Sequence, residues 1–562
     1  MVGIGAAGIV IYLLLVPIGM LVFSSFRATK DVMPWEATSF TLSNYVNVFT
    51  SEFTIRLFLN TLQYAVIAIA LSIGIAVILA WFMERTNAPW RRVLIVMVLA
   101  PLGVPPIVEI MAWIILANPT NGIFNKVLRE VFNLTTTEGP LNIYTFWGLG
   151  FVTGLKLVPG AYILIASAMA RLDPTLEEAS TASGASPFTT FRHITGALMR
   201  PAVLAVLFLF TVMTIEMFEG PAMLLQPKGI FVFSTLIYAA SHPVGGLPNY
   251  GLASGYAMIS LMIGIGLIYI YHIQVRRQER FAVVTGKAYR PRLVTLPRVW
   301  QIILLGVIVM YVVFVVVLPA LVLIWGSLGI LYTPTSLASA DLENYVEAFG
   351  HPSVLQAVSN TLIISVVSAT ATMVLALVVS WLSVRSGFRG GSLPDRLTIL
   401  SMSVPGVVMA LAFIFFYTRF PLPVYGTIWI IAIAYVTRHM AFSCRLMNAA
   451  YLQIAPELEE ASAASGAGWL PTIRYVVLPI VWPAFTRGWL MVFVHCLRDV
   501  TLALMLYTVG NGTVAVTLWQ FWMVDGDFGL GAALSVPLLL VSLGITSAMA
   551  RPAMVQGVSQ VH

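Results

Sequence analysis

The sequence predicts an all-α polytopic membrane protein with about twelve transmembrane helices, built as two tandem six-helix halves. Three observations predict it. The chain has 562 residues, 59% of them hydrophobic and only 9% charged. A soluble protein is about one quarter charged, so there is too little charge here to cover a water-exposed surface. Apolar stretches of the roughly 20 residues needed to cross a bilayer recur along the chain, 59–82 and 301–328 among them. Finally, the decamer LEEASTASGA at 176–185 returns as LEEASAASGA at 458–467, and both copies are too polar and glycine-broken to be spans.

In chain order, spans are predicted near 3–24, 58–82, 93–116, 143–170, 198–224, 250–275, 301–328, 357–384, 397–418, 424–450, 480–508 and 527–550. The first of these has no basic flank and no cleavage site, so it reads as a span rather than a removed leader. The missing flank predicts that a few residues precede it. Arg85, Arg91 and Arg92 share one loop, Arg276 to Arg298 crowd a second, and Arg385, Arg389 and Arg396 lie in a third. All three loops fall on one side of a twelve-span chain, which the positive-inside rule assigns to the cytoplasm, together with both decamers. The net charge of +7 is then a property of basic loops rather than a sign of nucleic-acid binding. Cys444 and Cys496 both lie in apolar stretches and exclude a disulfide framework or zinc cluster.

The repeat extends well beyond the decamers. At the offset of 282 that relates 176 to 458, Pro174 matches Pro456, Gly184 matches Gly466, Arg192 matches Arg474 and Pro201 matches Pro483. Upstream the offset is 300: Asn44-Tyr45-Val46 returns as Asn344-Tyr345-Val346, Asn60-Thr61-Leu62 as Asn360-Thr361-Leu362, and Val104-Pro105 as Val404-Pro405. The difference of 18 residues places an insertion in the first half, and the polar stretch 117–142 is the candidate, lying on the outer face with a short amphipathic helix. The chain therefore divides into a first half 1–275, a basic cytoplasmic linker 276–300 and a second half 301–562. Six spans per half make the halves parallel, with a pathway expected between them.

Each decamer reads as an elbow. Asp173 can cap a helix with Pro174 at its first position, and Thr175 with Glu178 has capping-box spacing. Glu177 and Glu178 suit the positive end of the helix. Ala179, Ala182 and Ser183 make a small-residue surface for close approach by another protein, Gly184 stops the helix, and Ser186-Pro187 starts the next. A generic amphipathic loop is the bland alternative, and two copies in register argue against it.

Ionisable residues inside spans usually face a pathway or a partner. Lys156 and Arg438 align at the 282 offset, as do Glu216 and Arg498, and Glu109, Glu219 and Asp499 lie in or near spans. These seven are candidate pathway residues. Structural ion pairing, Glu216 with Arg498 for example, accounts for them equally well. Two aligned cations lining a path would favour an anionic or anion-accompanied solute. The histidines show no ligand spacing: His193 belongs to the elbow, while His242 and His351 read as outer surface residues, and no metal site is expected. Trp519, Phe521 and Trp522 read as an interfacial belt or, more sharply, a docking patch for an external protein. Gly286-Lys287 lacks the remainder of a phosphate loop, so the chain binds no nucleotide of its own, and no clustered catalytic set is present to make it an enzyme.

The elbow pattern, Glu178-Ala179-Ser180 with Gly184 and Glu460-Ala461-Ser462 with Gly466, resembles the signature of permease subunits of binding-protein-dependent ABC importers. The Leu-Pro that follows it is present as Leu478-Pro479 and replaced by Gly196-Ala197 in the first half. The fused double build, VTGKAYRPR at 284–292, EMFEGPAMLL at 216–225 and LRDVTLALMLYT at 497–508 are similar to the ferric-iron-type permeases. The resemblance implies the type I ABC importer fold and a bacterial inner-membrane location. It implies coupling of Glu177, Glu178, Ala179, Gly184, Glu459, Glu460, Ala461 and Gly466 to two ATPase subunits that carry the ATP and Mg, and a periplasmic solute-binding protein. Ferric iron or an iron complex is the implied solute. Polyamines, thiamine and aminoethylphosphonate stay open as cargo of the same branch, and an ion-gradient-driven secondary transporter is the alternative from another class.

Overall fold

The computed structural model describes residues 2–28, 32–173, 175–243, 245–279, 293–329, 340–385, 390–419 and 422–556. Pro174, Arg389 and the linker residues Arg280, Lys287, Arg290 and Arg292 lie outside them. Among the described residues the chain is helical apart from two isolated β-bridges. Among the described residues nine helices are long and apolar enough to span a bilayer. Three further pairs qualify only when taken together, each sharply bent: Arg91–Gly103 with Pro106–Ala117 by 92°, Glu219–Lys228 with Phe233–Ser241 by 78°, and Ser392–Ser401 with Gly406–Tyr417 by 109°. The bends follow from local chemistry. Pro105 and Pro405 bias the residue before them to an extended conformation, and Val104 lies there with ψ 122°. Ile428–Leu452, expected to span, is a 25-residue helix carrying Arg438 and Arg445 that falls outside the nine. The expected span 198–224 ends sooner, at Glu216, and the chain then turns into the bent outer pair.

Two compact units emerge, and they partition the chain differently from the sequence repeat. One comprises residues 52–235, 263–342 and 535–562. In it the long helix Glu52–Arg85 packs along Phe146–Ala170. Gly150 and Gly154 allow the approach: a Cβ on Gly150 would meet the Ile67 side chain at 2.6 Å, and one on Gly154 the Ala68 carbonyl oxygen at 2.9 Å, as small residues do between membrane helices. The first span of the second half joins this unit, with Tyr311 donating to the Leu155 carbonyl at 3.2 Å. The insertion contains the expected short helix, Ile123–Val131, and buried Asn125 ties its ends by donating to the carbonyls of Asn118 and Leu141 at 2.8 and 2.7 Å.

The other unit comprises residues 1–51, 236–262 and 343–534. Pro352–Val384 packs along Ile428–Leu452, with Ser368 and Ser380 donating to the carbonyls of Ala432 and Cys444 at 3.2 and 3.1 Å. The first span of the chain, Gly5–Ser25, belongs here and packs on Gly406–Tyr417. The repeated asparagines have a shared task. Asn60 donates to the Phe231 carbonyl at 3.0 Å in one unit, and Asn360 to those of Gly510 and Gly512 at 3.1 and 2.9 Å in the other. Each ties its long helix to a turn of the outer segment.

Candidate functional site

The elbows are built as the sequence predicts. Helix Thr175–Ala182 and helix Pro456–Ala464 bury none of their residues. Asp173 caps the first, accepting from the Thr175 amide at 2.9 Å, and that bond holds its carboxyl below the usual aspartate range. Gly184 at φ +85° and Gly466 at φ +81° end the helices. The amides beyond them close the same pair of bonds: Ala185 to Ser180 at 3.2 Å and Gly184 to Thr181 at 3.0 Å, Ala467 to Ser462 at 3.1 Å and Gly466 to Ala463 at 2.9 Å. Ser180 bonds Thr190, and Ser462 bonds Thr472, both at 2.9 Å, bracing the elbow against its return helix. Each return then makes a π-turn, Phe191–Thr195 and Ile473–Val477, before entering its span.

Two acids expected on the docking face turn inward instead. Glu177 pairs with Arg85 at 3.2 Å and accepts from the Thr195 hydroxyl at 2.8 Å. Glu459 pairs with Arg385 at 3.4 Å. Ala179, Gly184, Glu460, Ala461 and Gly466 lie exposed, alongside the large apolar side chains of Leu176, Phe188 and Leu458. Exposed apolar surface rimmed by polar residues marks an interaction site. Beside the first elbow a cavity of about 680 Å³ is lined by Trp81, Arg85, Glu177, Thr195 and linker residues Leu293 to Thr295. Linker and long helix are stitched there by a bridge between Thr86 and Val294, with Val294 donating to the Arg85 carbonyl at 2.9 Å.

The intramembrane charges fall into two groups. Lys156 pairs with buried Glu109 at 3.2 Å and donates to the carbonyls of Pro101 and Val104, at the break of the first bent pair. Arg438 donates to the Val404 carbonyl at 2.8 Å, at the break of the second. The aligned cations thus do one job in both halves: each donates to the valine carbonyl, Val104 or Val404, that precedes the proline at the break. Position 409, equivalent to Glu109, is a methionine, so only the first cation has this acid. Glu216 and Arg498 each terminate the span following an elbow. Glu219 starts a short helix in the outer segment, and Asp499, two residues before helix Thr501–Met505 of the other half, accepts from the Leu502 amide at 2.9 Å.

Other expectations change. Trp519, Phe521 and Trp522 are buried, so they form no interfacial belt, and Trp522 packs edge-on against Phe528 at 4.6 Å. His242 stacks on Tyr238 at 5.1 Å and is no simple surface residue; burial pushes its pKa down. His351 is exposed as expected, and accepts from the Ser353 amide at 3.4 Å at a helix start. Among the described residues no three His, Cys, Asp or Glu side chains are grouped to hold a metal ion. The residues that sequence reasoning missed are Arg85 and Arg385, taken only as markers of the cytoplasmic side. Their spacing of 300, the upstream offset of the repeat, was the available signal.

Residues 373–556 match the family model described as binding-protein-dependent transport system inner membrane component. The chain is 25% identical over 510 residues to the Fe(3+)-transport system permease protein FbpB 2 of Haemophilus influenzae, covering 90% of this chain and 91% of that one. It is thus similar along nearly its whole length to a permease of the binding-protein-dependent class. The ferric transport system permease protein FbpB of Actinobacillus pleuropneumoniae is 28% identical to the permease over 72% of its length and 58% of the relative's. A solved bacterial ABC transporter involved in the import of alginate aligns with 47% of the permease and 89% of its own chain, at 17% identity and a TM-score of 0.36. The permease is a multi-pass inner-membrane protein.

Proposed function

We propose that this permease is the transmembrane subunit of an ATP-driven importer that takes ferric iron or an iron complex from an external binding protein into the cytoplasm. The observation that carries the reading is the pair of elbows, equal in backbone, exposed along their helices and presenting apolar side chains. Each half, 1–275 and 301–562, offers one of two ATPase subunits its own docking face, formed by Glu178, Ala179 and Gly184 or Glu460, Ala461 and Gly466. ATP and Mg are bound by those subunits. Closure of the ATPases draws the elbows together, and differential contact with the two ATPase states shifts the permease between its conformations. Glu216, Glu219, Arg498 and Asp499 serve the pathway. Glu109, Lys156 and Arg438 hold the broken helices that shape it, as broken helices do in other transporters. Iron is favoured over other cargo by the ferric transport for which the relatives matching most of the chain are named.

The test is uptake of radiolabelled ferric iron under iron limitation, with and without the gene, with excess thiamine, putrescine or aminoethylphosphonate as competitors. Gene-dependent uptake that none of them blocks, and that survives collapse of the proton gradient while ATP is maintained, is the expected result. Loss of uptake with the gradient alone would make the protein a secondary transporter. Absence of gene-dependent iron uptake would move the cargo to an organic solute, anionic ones first.

A further inference from the structure

Arg85 and Arg385 are the last residue of one long helix and the residue following the other. Each makes the same three-part grip, reproduced across the repeat. Arg85 holds Glu177 of the elbow through Nε and donates through a terminal nitrogen to the carbonyls of Met169 and Leu172, at 2.9 and 3.4 Å. Arg385 holds Glu459 and donates to the carbonyls of Tyr451, at 2.9 Å, and Ile454. The partners correspond residue for residue at the 282 offset, and the arginines at 300. The carbonyls are those at the end of the span that leads into the elbow, where those of Met169 and Tyr451 also accept from the Leu172 and Ile454 amides. One guanidinium therefore joins three pieces: the long helix, the end of the preceding span and the first turn of the elbow. Only arginine has donors enough, in a rigid fork, to do this. Neither is a surface pair of little consequence, since the Arg85 side chain is 4% exposed and that of Arg385 11%.

We propose that Arg85 and Arg385 are positioning residues that transmit elbow movement to the membrane: each latches its elbow to the long helix, so that a push on the elbow turns the helix instead of bending the loop. The proposal rests on the reading of the elbows as ATPase docking sites. A loose elbow would still bind an ATPase through its exposed face, yet would move without the span.

The experiment uses the full chain with its cognate ATPase in lipid nanodiscs, as wild type, Glu177→Gln, Glu459→Gln and Arg85→Gln. The glutamine variants keep the arginine–carbonyl bonds, so they remain informative where Arg85→Gln fails to fold. Amide hydrogen exchange of residues 175–185 is expected to quicken in Glu177→Gln by roughly tenfold or more, the scale of one lost charge-assisted hydrogen bond, and that of residues 457–467 by a smaller factor in Glu459→Gln, where the pair at 3.4 Å is ionic without hydrogen-bond geometry. Solute transport per ATP hydrolysed is expected to fall by a similar factor while the ATPase still binds. A structural role alone would lower the amount of folded permease but leave that ratio unchanged. Arg91→Gln is the control, because Arg91 pairs with Glu84 at the surface at 2.5 Å and touches no elbow. Unchanged exchange and an unchanged transport ratio in both glutamine variants would overturn the proposal. Should the wild type show no ATP-coupled transport of any solute, the importer reading fails, and the exchange rates still decide whether the latch holds the elbow.

Discussion

Asp173 caps the first elbow where the second has Ala455, with no side-chain cap. Thr195 donates to Glu177 where the second has Val477. The first Arg–Glu pair measures 3.2 Å and is hydrogen-bonded; the second measures 3.4 Å, and Arg385 Nε and Glu459 Oε1 are without hydrogen-bond geometry. Beside the first latch, linker residue Val294 is bridged to Thr86. Two segments that kept one backbone through duplication therefore differ in how firmly they are held. Backbone shape is what a docking groove must recognise, so it stayed. Anchoring is local to each half and diverged, leaving the first elbow fastened and the second freer to yield.

The largest expected break of this comparison comes from exchanging the last side chain of the π-turn, Thr195 in the first half and Val477 in the second. Thr195→Val removes a buried donor to a carboxylate and should cost the first elbow about 2 kcal/mol of protection, bringing its hydrogen exchange toward that of the second. The reverse change, Val477→Thr, should slow exchange over 457–467 severalfold; no change in either variant would mean that the hydroxyl does not set the difference. Next in size, Gly184→Ala and Gly466→Ala force a Cβ onto backbone at φ +85° and +81°, costing about 1 kcal/mol each. Nothing lies within 4 Å of either added carbon, so the two elbows should respond alike, and unequal shifts in exchange would show that the shared backbone is not shared in solution. The smallest effect concerns pH. The Asp173 carboxyl is held below its usual range by the Thr175 amide. Its contribution is therefore complete above the unfolded carboxylate value, about 4, and is lost as pH falls through the lower folded value. Exchange measured across that range should narrow the gap between elbows in the wild type but not in Asp173→Ala.

Much of this was legible in the residues. Composition and long apolar runs predict the helices, because lipid requires backbone bonds to close within a segment. The Asp173 cap and the stops at Gly184 and Gly466 are local chemistry and appear as read. The bends at Pro105 and Pro405 were hidden, since hydropathy is continuous across them. So were the partners of Lys156 and Arg438, which are backbone carbonyls and carry no side-chain signature. Glu177 was visible as a helix-start acid, but its partner lies 92 residues away, a distance that no local pattern spans. Burial of Trp519, Phe521 and Trp522 was equally out of reach, because an apolar ring suits a lipid interface and a protein core alike. The division into compact units depends on which helices pack, and all are apolar enough to pack with several others.

The first span carries a consequence for biosynthesis. Gly5–Ser25 packs on Gly406–Tyr417 within one unit, so its neighbour emerges from the ribosome about 380 residues later. At about 5–20 residues per second, that is a delay on the order of 20–80 s. Through most of it the helix must wait in lipid with its packing face uncovered. A chain halted anywhere before residue 352 leaves that face bare, and this gives the membrane's quality control a long interval, and a defined surface, by which to tell an unfinished copy from a finished one.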